Sequence, residues 1–196
     1  MSSTASDYEV KKGKAFLFMT FGALLIVANL LLVQQNKQLK VSAGGVDRSL
    51  ELAPGKKLPP LRGLDLNGNS LSFDYNAVGI KTLLLVFSPG CRACKENMAS
   101  WKAIMNQLGR ENYRMIAVSL KSEGAHDYAS RYGLIDIPVI AEIDPKDRVA
   151  YNLVLTPQTI LINPDGTTEK VWTGLIDSRT RGDIERTLNI DLSATK

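Results

Sequence analysis

TLLLVFSPGCRACK, residues 82–95, joins two structural patterns at one point. Residues 82–88 are a nearly unbroken apolar run closed by Pro89-Gly90, which is how a strand buried on both faces reads. Beyond the glycine, Cys94, Met98, Trp101, Met105 and Leu108 recur at spacings of 4, 3, 4 and 3. That is one face of a helix, with Gly109 placed to end it. The Met and Trp positions on this stripe read as core packing rather than as a cofactor surface. A buried strand therefore hands over to an amphipathic helix at Pro89-Gly90-Cys91.

Working outward, residues 61–66 and 70–73 flank Asn67-Gly68, a strong hairpin signal. Residues 113–120 read as a second buried strand and 126–132 as a helix. A short strand over 137–141 and a helical turn over 149–154 follow. Residues 158–163 and 168–173 are strands joined by the turn Asn163-Pro164-Asp165-Gly166. Asp177 or Ser178 caps a last helix that buries Ile184 and Leu188. The alternation predicts an α/β domain over 61–192, with a mixed central sheet flanked by helices on both faces.

Hydrophobic residues make up 44% and charged residues 22%, which excludes a disordered or collagen-like chain. The net charge of +4 invites a nucleic-acid reading, but the excess lies in the first 60 residues. Residues 61–196 hold 16 basic and 16 acidic side chains, so the domain lacks the electrostatic footprint of a nucleic-acid binder. Residues 15–33, AFLFMTFGALLIVANLLLV, carry no charge. As a helix they would extend about 28 Å, close to the thickness of a hydrocarbon core. A cleaved signal peptide is the rival reading, yet the small-residue site Val41-Ser42-Ala43 lies well beyond the run. Lys11, Lys12 and Lys14 outnumber Lys37 and Lys40, which favours an N-terminus inside. The expected order is a cytoplasmic tail over 1–14, a single-pass anchor over 15–33, a linker over 34–60 and an extracytoplasmic domain. Gly44-Gly45 and Pro59-Pro60 mark the linker as a spacer.

The chain has two cysteines, which excludes a disulfide-dense scaffold. Both sit at the strand-to-helix junction. A thiol at a helix N-terminus meets unpaired N–H groups and the positive end of the dipole, which favour the thiolate that attacks disulfides. Cys94 begins the apolar stripe, so Cys91 is the expected exposed nucleophile and Cys94 the buried resolving thiol. Arg92 adds a cation expected to favour the thiolate further. A zinc site needs more ligands than this pair and His126 supply; no metal and no cofactor are expected. The remaining alternative is a buried, inert pair.

Residues 61–190 resemble the thioredoxin-like fold, specifically the membrane-anchored TlpA/ResA-like thiol–disulfide oxidoreductases. The resemblance rests on LLLVFSPGCRACK, MIAVSLKSEGAHDYASRYGL and LTPQTILINPDG in that order, with a long stretch between the cysteines and Thr156-Pro157. It implies that Cys91 attacks and Cys94 resolves, and that Pro157 follows a cis peptide bond facing them. Thr156, Pro157 and Gly90 become candidate substrate contacts. Gly90 replaces the family's usual tryptophan and Ala93 its proline. Asn97 stands for a glutamate of some members, with Glu96 beside it, and Leu85 for the buried aspartate of plain thioredoxins. Arg92, Glu96 and Asn97 are thus candidate modulators. The implied partners are protein disulfides or dithiols and a membrane electron-transfer protein, with cytochrome c or other enzyme maturation as the setting. Pro89-Gly90 also resembles the methylamine-utilisation accessory branch. A peroxiredoxin reading fails because Leu84 occupies the place of that family's proline. A tethering module with an idle cysteine pair is the non-catalytic alternative.

Overall fold

A computed structural model describes residue 22 and residues 24–32, 52–76, 79–109 and 111–193. Two compact units are distinguished, Met1–Gly45 and Val46–Lys196. In the first, residues 22 and 24–32 are helical. Leu24, Leu30 and their aliphatic neighbours are exposed, and Asn29 Nδ2 donates to the Leu25 carbonyl at 3.1 Å. Among the described residues no helix is long and apolar enough to cross a membrane. The tail over 1–14, the rest of the 15–33 span and residues 34–51 of the linker lie outside the described residues.

The second unit runs β1 (Leu61–Leu64), β2 (Ser70–Phe73), β3 (Lys81–Phe87), α1 (Arg92–Gln107), β4 (Tyr113–Ser119) and α2 (Ala125–Tyr132). A 3-10 turn at Leu134–Asp136 precedes β5 (Val139–Ile140), β6 (Glu142–Ile143), α3 (Pro145–Ala150), β7 (Gln158–Ile162), β8 (Thr168–Thr173) and α4 (Ser178–Leu188). Five strands form a mixed sheet in the order β5-β4-β3-β7-β8. β3 pairs in parallel with β4 and antiparallel with β7. A separate antiparallel sheet has the order β2-β1-β6.

The apolar run of β3 is central because both its faces are covered. Leu83, Leu85 and Phe87 pack with Cys94, Met98, Trp101 and Ile104 of α1 and with Ile184 and Leu188 of α4. Leu84 and Val86 face Leu52, Leu58, Leu61, Tyr75, Tyr151 and Leu153. Burial of each such side chain contributes about 1.5–3 kcal/mol, against about 1–2 kcal/mol per residue of backbone ordering. The helices divide unequally between the two faces. α1, α2 and α4 supply buried side chains to one face, and on the other the small sheet and the chain around it pack with only Ala150 of the short α3 beside them.

Three local expectations change. The 61–66 strand stops at Leu64 because the Asp65 carboxylate accepts from the N–H groups of Asn67 and Asn69 and closes the turn. The 137–141 strand shortens to β5, and β6 follows it at Glu142–Ile143 in the other sheet. The helical turn expected over 149–154 lies earlier, as the helix Pro145–Ala150, because Asp144 caps the Lys146 N–H and proline suits the first helical position. The end of the 34–60 linker is also part of the packed unit. Leu52 and Leu58 are buried, and Leu58 N–H donates to the Gly166 carbonyl at 2.9 Å.

Candidate active site

β3 ends at Phe87, and the chain must turn sharply to start α1. Gly90 takes φ +82°, a left-handed conformation that glycine adopts without steric cost. The Cys91 N–H then donates to the Ser88 carbonyl at 3.1 Å, which aims residue 91 at the helix start. Cys91 is the N-cap of α1, and its Sγ accepts from the Cys94 N–H at 3.1 Å. The two cysteines form a disulfide with their Cα atoms 5.2 Å apart.

The sulfurs differ in surroundings. Cys94 is fully buried against Leu85, Phe87, Met98 and Trp101. Cys91 is half-buried at the rim. An apolar shell disfavours a thiolate at residue 94, whereas a helix N-terminus favours one at residue 91 once the pair is reduced. Beneath the disulfide, Leu85 is completely buried, and the buried Trp101 Nε1 donates to Thr159 Oγ1 at 2.9 Å.

β7 brings the second part of the site alongside. Gln158 pairs with Val86, so Pro157 lies at the same end of the sheet as the Ser88–Cys91 loop. The Thr156–Pro157 peptide is cis. Pro157 is buried and Thr156 half-buried. No backbone hydrogen bond ties Thr156 among the described residues. The Pro157 carbonyl accepts from the Gly174 N–H at 2.8 Å.

The expected modulators separate. Arg92 is almost fully exposed, and its Nε bonds Glu96 Oε1 at 3.1 Å one turn along α1. Its charge therefore answers Glu96 rather than standing alone beside Cys91, a consequence of the i,i+4 spacing. Asn97 is 3% exposed and faces the opposite way. Its Nδ2 donates to the Gly174 carbonyl at 3.0 Å, and its Oδ1 accepts from the Ile176 N–H at 2.9 Å. Gly174 and Ile176 are the site neighbours that the sequence did not flag. The one local signal was a glycine between a strand and a capped helix, at φ +90°. His126 is exposed on α2, 3.8 Å from Asp127. Among the described residues no group of three His, Cys, Asp or Glu side chains could hold a metal ion.

A cysteine pair opening a helix after the central strand, with a cis-proline across the sheet, lies within a span that matches the model of the AhpC/TSA family over residues 54–171. The chain belongs to this AhpC/TSA family, thioredoxin-like in fold, and its enzyme class is thiol–disulfide oxidoreductase. Among individual relatives, the thiol-disulfide oxidoreductase ResA of Geobacillus kaustophilus is 28% identical over 142 residues, covering 70% of this chain and 77% of that protein. ResA of Bacillus subtilis is 26% identical over 113 residues, covering 56% and 62%. The thioredoxin domain of a Bacteroides vulgatus thiol-disulfide oxidoreductase superposes with a TM-score of 0.57 at 21% identity, over 71% of this chain and all of that one. A thiol:disulfide interchange protein from a Bacteroides species gives 0.52 at 20% identity, over 70% and 91%. These two structures establish likeness of fold.

Proposed function

We propose that the chain is a membrane-anchored oxidoreductase that reduces or exchanges disulfides of selected proteins outside the cytoplasm, with Cys91 attacking and Cys94 resolving. The observation that carries this reading is the asymmetry of the pair, a rim sulfur capping α1 and a fully buried partner one turn on. In the reducing direction the Cys91 thiolate attacks one sulfur of a substrate disulfide. The other substrate sulfur leaves as a thiolate and takes a proton. Cys94 then gives up its proton and attacks Cys91 Sγ, which frees the second substrate thiol. Two electrons pass to the substrate, and the pair returns to the disulfide form. An external dithiol must restore it, and we assign that task to a membrane electron-transfer partner. The Thr156 backbone beside Pro157, which bonds to no backbone group among the described residues, suits an extended substrate segment.

The anchored location rests on the uncharged run over 15–33 and its lysine-rich N-terminal flank. The substrates that suit this place are extracytoplasmic proteins in maturation, apocytochromes c among them. Cys94→Ser tests the reading in the full chain. A hydroxyl cannot complete the second step, so substrate should stay attached through Cys91 and be identified after acid lysis. Cys91→Ser should trap far less, because a buried sulfur is a poor first attacker. Equal trapping by both variants would overturn the roles, and trapping by neither would favour a tethering module. Capture of a multi-disulfide enzyme subunit in place of an apocytochrome would move the assignment to the methylamine-utilisation branch.

A further inference from the structure

Asn97 lies three residues beyond Cys94 on the same rigid helix, yet both its hydrogen bonds leave that helix. They cross to the loop between β8 and α4, 77 and 79 residues away in sequence. Gly174 is held from two sides. Its carbonyl accepts from Asn97 Nδ2, and its N–H donates to the Pro157 carbonyl. Two hydrogen bonds through one glycine thus connect the cysteine-bearing helix to the cis-proline. We propose that Asn97 is a positioning residue, whose buried amide sets the Pro157 loop against the Cys91–Cys94 pair through Gly174. The inference rests on the disulfide-exchange reading above.

The chemistry of the contact explains why an amide serves here. Gly174 presents an acceptor and Ile176 a donor, so the side chain between them must donate and accept at once without carrying charge. A carboxamide does both. An ionised carboxylate of the same shape accepts from Ile176 but sets a lone pair against the Gly174 carbonyl. A protonated carboxyl donates there and restores the pattern. Isolation from water makes each mismatch costly, because a buried polar group left unpaired has no solvent to turn to.

Asn97→Asp therefore carries its own control. Burial and the facing carbonyl should raise the new carboxyl above the ordinary carboxylate range. The variant should match wild type at acid pH and lose activity as pH rises through that value. Asn97→Ala should be slow at every pH, by about tenfold if the loop shifts by a fraction of an ångström. The measurement is the rate at which each pre-reduced full-length chain, in detergent, reduces a cystine-bridged peptide. Each rate is divided by the wild-type rate at the same pH, from about pH 5 to about pH 8 to bracket a raised carboxyl. The thiols of Cys91 and Cys94 and the charged groups Lys95 and Glu96 on α1 and Asp177 beyond Ile176 are present in wild type as well, so the ratio sets their own contribution aside. Circular dichroism at each pH separates a shifted loop from an unfolded chain. The inference holds if the Asp ratio falls with pH while the Ala ratio stays low and flat. It is overturned if the Ala variant runs within twofold of wild type or the Asp ratio is flat. Should Asn97→Ala fail to fold, the slope of the Asp ratio decides alone. A wild-type chain that exchanges nothing sinks the function and this inference together, whereas an active wild type matched by its variants sinks this inference only.

Discussion

On the face of β3 that carries Leu83, Leu85 and Phe87, the core around Cys94 is mostly apolar, with the Trp101–Thr159 bond and the Asn97 amide as buried polar contacts. On the opposite face, polar groups pin the packing. Tyr151 Oη donates to the Pro59 carbonyl at 2.5 Å and lies 2.6 Å from Tyr75 Oη. The single phenolic hydrogen of Tyr151 is spent on Pro59, so Tyr75 is the donor between the rings. Burial pushes both phenols up, which keeps these hydrogens in place at any physiological pH. Nearby, Arg62 forks onto the buried Asp147 carboxylate at 2.7 and 3.0 Å and fastens β1 to α3. The division has a physical sense. A hydrophobic floor shields the Cys94 sulfur from water, and on the opposite face directional bonds hold segments distant in sequence in register.

If that division is real, damage to the two faces should have different consequences. Trp101→Ala removes the largest side chain under Cys94 and should cost about 3–5 kcal/mol in denaturant unfolding. Because Cys94 and Trp101 share one cluster, disulfide exchange below the melting range should also slow. Tyr151→Phe leaves the half-buried Pro59 carbonyl and the buried Tyr75 hydroxyl without their partner, at about 1–3 kcal/mol. Its exchange rate should equal wild type wherever it is folded. A Trp101→Ala chain with unimpaired exchange, or a Tyr151→Phe chain slowed in proportion to its lost stability, would break the comparison.

The two faces also differ in how far they could be read beforehand. The floor of the site follows from local rules, since an apolar run and a 3.6-residue stripe need only their own neighbours to be recognised. The position of both cysteines came with them. The opposite face depends on partners far apart, such as Tyr75 with Tyr151 and Arg62 with Asp147, and no local period encodes such pairs. β5 and β6 are two residues each, too short for any alternation to show. Leu52 and Leu58 were hidden because a polar, proline-containing stretch around them reads as spacer. Pro157 and Asn97 drew notice only through family resemblance. Nothing near Asn97 in sequence discloses that its partner is Gly174.

The smallest expected effect belongs to a residue that the sequence placed among the modulators. Arg92 was expected to favour the Cys91 thiolate by its charge. In the fold its side chain is 93% exposed and bonded to Glu96, so water and a counter-charge both screen it. The Cys94 N–H and the N-terminus of α1 act on Cys91 at direct contact and are not screened in that way. Alkylation rate against pH for the reduced chain should therefore show an inflection below the range of a free thiol. In Arg92→Ala the inflection should move by less than a few tenths of a pH unit, about what an exposed charge supplies. Raising the salt concentration should leave the wild-type inflection nearly in place, because a helix terminus in contact does not depend on the ionic atmosphere. A large upward shift in Arg92→Ala would reassign the control of Cys91 from the helix end to the exposed cation. The apolar floor and the N-cap would then not suffice to explain how the two sulfurs are told apart.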